Sequence, residues 1–180
     1  DPGGRCSSGW PASKSRWQVL ANQTRIATWD NKPGPGQSFS MDQWGGYPAA
    51  LARLMKSIGT RAPNRTVAIT GDVHSNWVNE LRASYDKPDA KKIGVEFVGT
   101  SISSDGDGQD AFANWNDRSR AENPHVLWHN ARRGYVMNSV TPDDWRATYR
   151  VVPFVSKPDA PIQTAAEFIT RNGKSGVEKV

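Results

Sequence analysis

Apolar positions along the chain follow two rhythms, one of period two or continuous and one of period three to four. Trp17 to Ala21 is a short apolar run ending at Asn22-Gln23-Thr24, the pattern of a buried strand that opens onto a polar rim. Asn31 to Gln37 carries two prolines and two glycines, which excludes a helix or a central strand and predicts an exposed loop. From Tyr47 to Gly59, Ala50, Leu51, Leu54, Met55 and Ile58 recur at three- and four-residue spacing. Pro48 sits in the first turn and Gly59 at the end, so an amphipathic helix is predicted. Thr66 to Thr70 reads as a second buried strand that stops at Gly71-Asp72-Val73-His74. A helix is expected over Ser75 to Tyr85 and a third strand over Val95 to Val98. Gln109 to Glu122 is polar and reads as helical. Gly134 to Val140 and Arg146 to Val155 read as strands, and Asn172-Gly173 as a hairpin turn joining a last pair around Phe168-Ile169 and Val177. Alternating strand and helix is the rhythm of an α/β fold. No repeat, low-complexity segment or second domain is visible.

Composition sharpens this picture. The 180 residues suffice for one domain, yet Leu, Ile, Val and Phe together fall below a fifth of them, where composition begins to suggest disorder. Eight Trp and a net charge of only +5 argue for a globular chain with a thin core. Such a core is expected where a chain shares its folding unit with another segment. No run approaches the roughly 18 apolar residues of a membrane helix, and Asp1 to Cys6 lacks the basic start and apolar stretch of a signal peptide. Cys6 is the single cysteine, so no intrachain disulfide forms. A pI near 9.5 suits an anionic partner, but the basic residues are scattered and no nucleic-acid motif is present.

Candidate chemistry concentrates at Ile69 to Trp77. Asp72 and His74 stand two residues apart just past a buried strand, with Gly71 free to turn the backbone, at the edge where open α/β sheets bind ligands. The carboxylate suits a hard cation such as calcium or manganese and the imidazole suits iron or zinc. The spacing alone leaves a second reading, in which Asp72 caps a helix beginning at Val73 and His74 faces solvent. Asn22 and Gln23 would converge on the same place if the strands ending there are neighbours. Trp29, Trp44 and Tyr47 bracket the Pro-Gly loop and read as satellite core. His125 and His129 read as surface or packing residues on extended chain. Asp105, Asp107 and Asp110, interleaved with Gly106 and Gly108, read as a flexible acidic loop, since no Glu completes a calcium-loop pattern. No phosphate-binding Gly-rich loop, nucleophile elbow or Cys-x-x-Cys pair is present.

At Gly71-Asp72-Val73-His74-Ser75-Asn76-Trp77 the sequence resembles the PhoD-like alkaline phosphatase family, which also contains secreted phospholipase D enzymes. The resemblance continues in order through Ser13 to Gln23, Asp42 to Ala50, Val95 to Ser103, Asn123 to His125, Arg133 to Val136, Val140 to Pro142 and Tyr149 to Val152. It implies a metallophosphoesterase fold, α/β in class, in which two β-sheets pack face to face with helices outside and metals at one sheet edge. It implies ferric iron together with calcium, manganese or zinc being the alternatives to calcium, with the iron bound to His74 and the divalent ion to Asp72. Asn22 and His74 would belong to the catalytic centre, Asn22 as a substrate or supporting contact.

The implied activity is metal-dependent hydrolysis of phosphate esters, preferentially diesters including phospholipids. Alkaline phosphomonoester hydrolysis and a non-catalytic basic module binding anionic lipid are the alternatives. A secreted, extracellular or periplasmic location follows from the same likeness. Gly45 and Leu51 depart from the Asp and Arg usual in the family's Trp-x-Gly-Tyr-Pro region. The motifs that bring the family's other ligands belong to an N-terminal half without counterpart here, and Cys6 does not match the family's thiolate. The whole chain, residues 1–180, is therefore expected to be the C-terminal portion of one catalytic domain, with the N-terminal half of the same precursor as its partner.

Overall fold

The computed structural model describes residues 14–32, 34–87, 89–110 and 117–180. Among the described residues nine strands form two sheets. Strands β1 (Gln18–Thr24), β2 (Thr66–Gly71), β3 (Asn76–Arg82), β4 (Lys92–Val98) and β5 (Val126–Asn130) make a five-stranded sheet in the order β1-β2-β4-β3-β5. In it β1, β2 and β4 run parallel, and β3 runs antiparallel to both β4 and β5. Strands β6 (Gly134–Val140), β7 (Asp144–Val151), β8 (Gln163–Arg171) and β9 (Glu178–Lys179) form an antiparallel meander. The two-sheet architecture implied by the resemblance is thus present.

Each face of the larger sheet is covered by a different element. Val67, Val78, Val95 and Phe97 on the inner face pack against Trp145, Ala147, Tyr149, Ala166 and Phe168 of the smaller sheet. The Tyr149 hydroxyl crosses between the sheets to the Trp77 carbonyl at 2.7 Å. On the outer face, helix α1 (Pro48–Arg61) lays Leu51, Met55 and Ile58 against Ala68, Leu81 and Ile93. Burying each of the Leu, Ile and Met side chains among them contributes about 1.5–3 kcal/mol. The Pro at the first turn and the three- to four-residue spacing produce α1 as the pattern predicts.

The sharpest correction concerns Ser75 to Tyr85, which is not a helix but contains β3, buried along its whole length. Its polar residues hide the strand pattern because each finds a partner inside. Asn79 donates to Glu96 at 2.9 Å, and Glu80 pairs with Arg82 at 2.9 Å and Lys92 at 2.5 Å. Since Val73 starts no helix, Asp72 caps none. Other elements differ at their bounds: β1 continues through the expected polar rim, α1 ends at Arg61, and β7 ends at Val151. The helix expected over Gln109 to Glu122 is present as α2 (Asp117–Glu122); residues 111–116 lie outside the described set, as do Asp1 to Ser13 with Cys6. Asn172-Gly173 does turn the chain from β8 toward β9. Among the described residues no helix is long and apolar enough to cross a membrane.

Candidate metal and phosphate site

Topology creates the turn that carries the two predicted ligands. Strand β4 fills the slot between β2 and β3, so the chain leaving Gly71 must cross the end of β4 to enter β3. The end of β4 is tied to both neighbours, through Gly99 N–H to the Thr70 carbonyl at 2.8 Å and Thr100 N–H to Asn76 Oδ1 at 3.2 Å. Within this short crossing the Val73 N–H donates to the Gly71 carbonyl at 2.9 Å, closing a three-residue turn centred on Asp72. Asp72 has φ 72° and His74 has φ 47°. Such conformations cost about 1–3 kcal/mol each in non-glycine residues and gather at functional sites. Both predicted ligands are among them.

Each side chain has its own support. Gln43 Nε2 donates to Asp72 Oδ2 at 3.1 Å, and the Thr24 hydroxyl, bonded to Gln43 Oε1, lies 3.2 Å from the same oxygen. Both contacts fall on Oδ2. On the imidazole side, His74 Nδ1 meets Asp105 Oδ2 at 2.7 Å. Thr24, Gln43 and Asp105 were not found from sequence. Thr24 directly follows the amides Asn22 and Gln23, Gln43 lies inside the matched Asp42 to Ala50 stretch, and Asp105 lies in the acidic loop, so only their convergence was hidden.

Strands β1 and β2 are neighbours, as convergence of Asn22 with Asp72 requires, with Thr24 opposite Gly71. Asn22 nevertheless spends its amide on the Thr24 carbonyl at 2.6 Å rather than on Asp72 or His74. It lines, with Gln23, Thr70, Gly99 and Tyr135, an open cleft of about 580 Å³ between the two sheets. The flank around this cleft is apolar and only half paired. Strand β1 is the outermost strand of one sheet and β6 of the other, and Val19, Tyr135, Met137 and Val140 are about half exposed along them.

The acidic loop is not loose. Asp107 accepts from the Val155 and Ser156 N–H groups at 2.7 and 2.8 Å, which holds its carboxyl below the usual carboxylate range. Asp110 pairs with Arg132 at 2.7 Å. Buried Arg133 clamps the loop through Ser101 Oγ at 2.8 Å, the Ser104 carbonyl at 2.7 Å and the Ala131 carbonyl. Gly108, at φ 72°, passes so close to Ala131 that a Cβ would stand 2.0 Å from its carbonyl oxygen. His125 and His129 are buried packing residues: Tyr85 meets the first edge-on at 4.7 Å, and Trp77 meets the second at 4.4 Å. Trp29 meets Trp77 edge to face and Trp44 packs on the α1 cluster as satellite core, whereas Tyr47 is exposed.

As a donor set, Asp72 and His74 offer the carboxylate oxygen that Thr24 and Gln43 leave alone and the imidazole nitrogen turned away from Asp105, the mixed hard and borderline pair that suits a calcium and iron centre. Among the described residues no group of three or more His, Cys, Asp or Glu could hold a metal. The pair fits as one side of a metal centre, not as the whole of one.

A two-sheet α/β sandwich with a strained acid and imidazole turn at the tip of one parallel strand defines the class of fold. The family model for PhoD-like phosphatase matches residues 7–149, and the chain belongs to that family. It is 43% identical over 169 residues to alkaline phosphatase D of Bacillus subtilis (strain 168), a stretch covering 94% of this chain and 29% of that protein. A solved structure of PhoD superposes with a TM-score of 0.93 at 40% identity, covering 99% of this chain and 34% of that one. The chain therefore spans about a third of the length of the relatives it matches.

Proposed function

We propose that this chain supplies one side of the catalytic centre of a metal-dependent phosphoric ester hydrolase. The observation that carries this reading is the turn at Asp72 and His74, where two strained residues, separated by Val73, offer complementary donors at the strand tip next to Thr70 of the cleft wall. His74 would hold ferric iron through Nε2 and Asp72 a neighbouring divalent ion, calcium or else manganese or zinc, through Oδ1. Bound there, the metals would supply Lewis-acid polarisation of the phosphate and acidify a water at neutral pH. Thr24 and Gln43 steady the Asp72 carboxylate, Asp105 steadies the His74 ring, and Asn22 on the cleft wall is a contact for the substrate.

The remaining ligands come from the N-terminal half of the family's catalytic domain, in one continuous chain with this segment or as a separate one, seated on the open flank of β1 and β6. The half-exposed apolar side chains there support that assignment. Phosphodiesters, phospholipids included, are the preferred substrates on the sequence resemblance, which also carries a location outside the cytoplasm. The name of the Bacillus relative favours a second reading, hydrolysis of phosphomonoesters.

Co-expression of the chain with a partner segment covering the rest of the relatives' length tests this. The complex is expected to retain iron and calcium and to hydrolyse bis-nitrophenyl phosphate faster than nitrophenyl phosphate. His74→Ala is expected to lose both metal and turnover. The opposite rate order would select the monoester reading. A complex that hydrolyses neither ester, while the chain binds anionic vesicles equally with and without His74, would overturn catalysis in favour of a basic lipid-binding module.

A further inference from the structure

We propose that Asp105 is a positioning residue that locks His74 in the Nδ1–H tautomer, leaving Nε2 as its only lone pair for a ligand. A carboxylate accepts hydrogen bonds and donates none, so at 2.7 Å from Asp105 Oδ2 the His74 Nδ1 must carry the proton. The other ring nitrogen is then the acceptor, because the tautomer of an imidazole is set by the bond its partner nitrogen makes. This inference rests on the reading of His74 as a metal ligand.

Stability does not account for the contact. The side chains are 44% and 69% exposed, and ion pairs in such settings contribute little. Both residues also sit at positive φ, 47° and 67°, a backbone cost that a surface pair of this kind does not offset. The loop is nonetheless fixed at several points around Asp105: Arg133 on Ser101 and Ser104, and Asp107 on Val155 and Ser156. Asp105 also faces the charge of Arg133, whose pKa burial lowers and Asp105 raises. An exposed carboxylate held this firmly against one ring nitrogen presets a direction at the other, as carboxylates behind metal-binding imidazoles do.

The test is nitrogen-15 NMR of the metal-free chain at pH 8, with Asp105→Gly as the variant, since glycine accepts φ 67° without strain. The wild-type His74 spectrum is expected to show the proton on Nδ1, and the variant to move to a mixture of both tautomers, with His125 and His129 signals unchanged as a measure of the intact fold. A His74 tautomer that is the same with and without Asp105 overturns the inference. In the assembled phosphoesterase, Asp105→Gly is expected to weaken metal binding about 10- to 100-fold. If His74→Ala retains metal at wild-type affinity, the ligand reading fails even where the tautomer result holds, so the two failures are told apart.

Discussion

His125 and His129 should make the fold sensitive to mild acid. Each is buried, 4% and 5% exposed, with its pKa pulled down from 6.5 to about 4 for His125 and about 3 for His129. Burial is the main cause in both. For His125 it is opposed by the bond from Nε2–H to the Thr28 carbonyl at 2.7 Å and reinforced by Arg82 and Arg25; for His129 Arg25 adds to it. In the unfolded chain both rings bind a proton below about pH 6.5, while in the folded chain they stay neutral. Stability is therefore full above pH 6.5 and falls as the pH drops toward the folded values. Between pH 8 and pH 5 each ring accounts for a loss of about 2 kcal/mol, about 4 kcal/mol together, with a slope approaching about 1.4 kcal/mol per pH unit for each. That is a large share of the about 5–15 kcal/mol typical of a domain. Urea unfolding followed by tryptophan fluorescence at pH 5, 6, 7 and 8 measures it. His129→Phe keeps an aromatic ring against Trp77 and should halve the slope. A stability unchanged within about 1 kcal/mol from pH 8 to pH 5, or an unaltered slope in His129→Phe, would refute the reasoning.

Glu96 is fully buried and accepts from the Ile26 and Ala27 N–H groups at 2.7 and 3.0 Å, the Thr70 hydroxyl at 2.9 Å and Asn79 at 2.9 Å. Glu96→Gln turns an amide donor toward these donors and should cost at least about 2 kcal/mol, read as a lower urea midpoint, with an unchanged midpoint contradicting it. Asp72→Gly relieves the backbone at φ 72° and should leave stability equal or higher. Asp72→Ala, which lacks the carboxylate just as the glycine variant does, should unfold at about 1 kcal/mol less than the glycine variant, and thermal melts in which alanine is the more stable would remove strain from the account.

Much of the fold was legible because its elements carry their own signal. The α1 face shows as apolar residues three and four apart, and β2 and β6 show as short runs bounded by turn residues. Strand β3 was not legible. Asn76, Asn79, Glu80 and Arg82 give it the look of a surface segment, and only the partners supplied by β4, Glu96 and Lys92 among them, make seven polar and apolar positions equally buriable. The same limit applied at the site. Asp72 and His74 stand out because they are two residues apart, whereas Thr24, Gln43 and Asp105 reach them across 48, 29 and 31 positions of chain.

The sequence by itself determined the residue types at the strand tip, the α/β alternation and the family resemblance, since these are properties of near neighbours and of ordered motifs. Only the tertiary structure decided that β4 enters between β2 and β3. That insertion forces the short crossing, sets Asp72 and His74 at positive φ, and brings the loop of Asp105 against the ring, because a side chain's partners depend on which strands lie side by side and not on their distance along the chain.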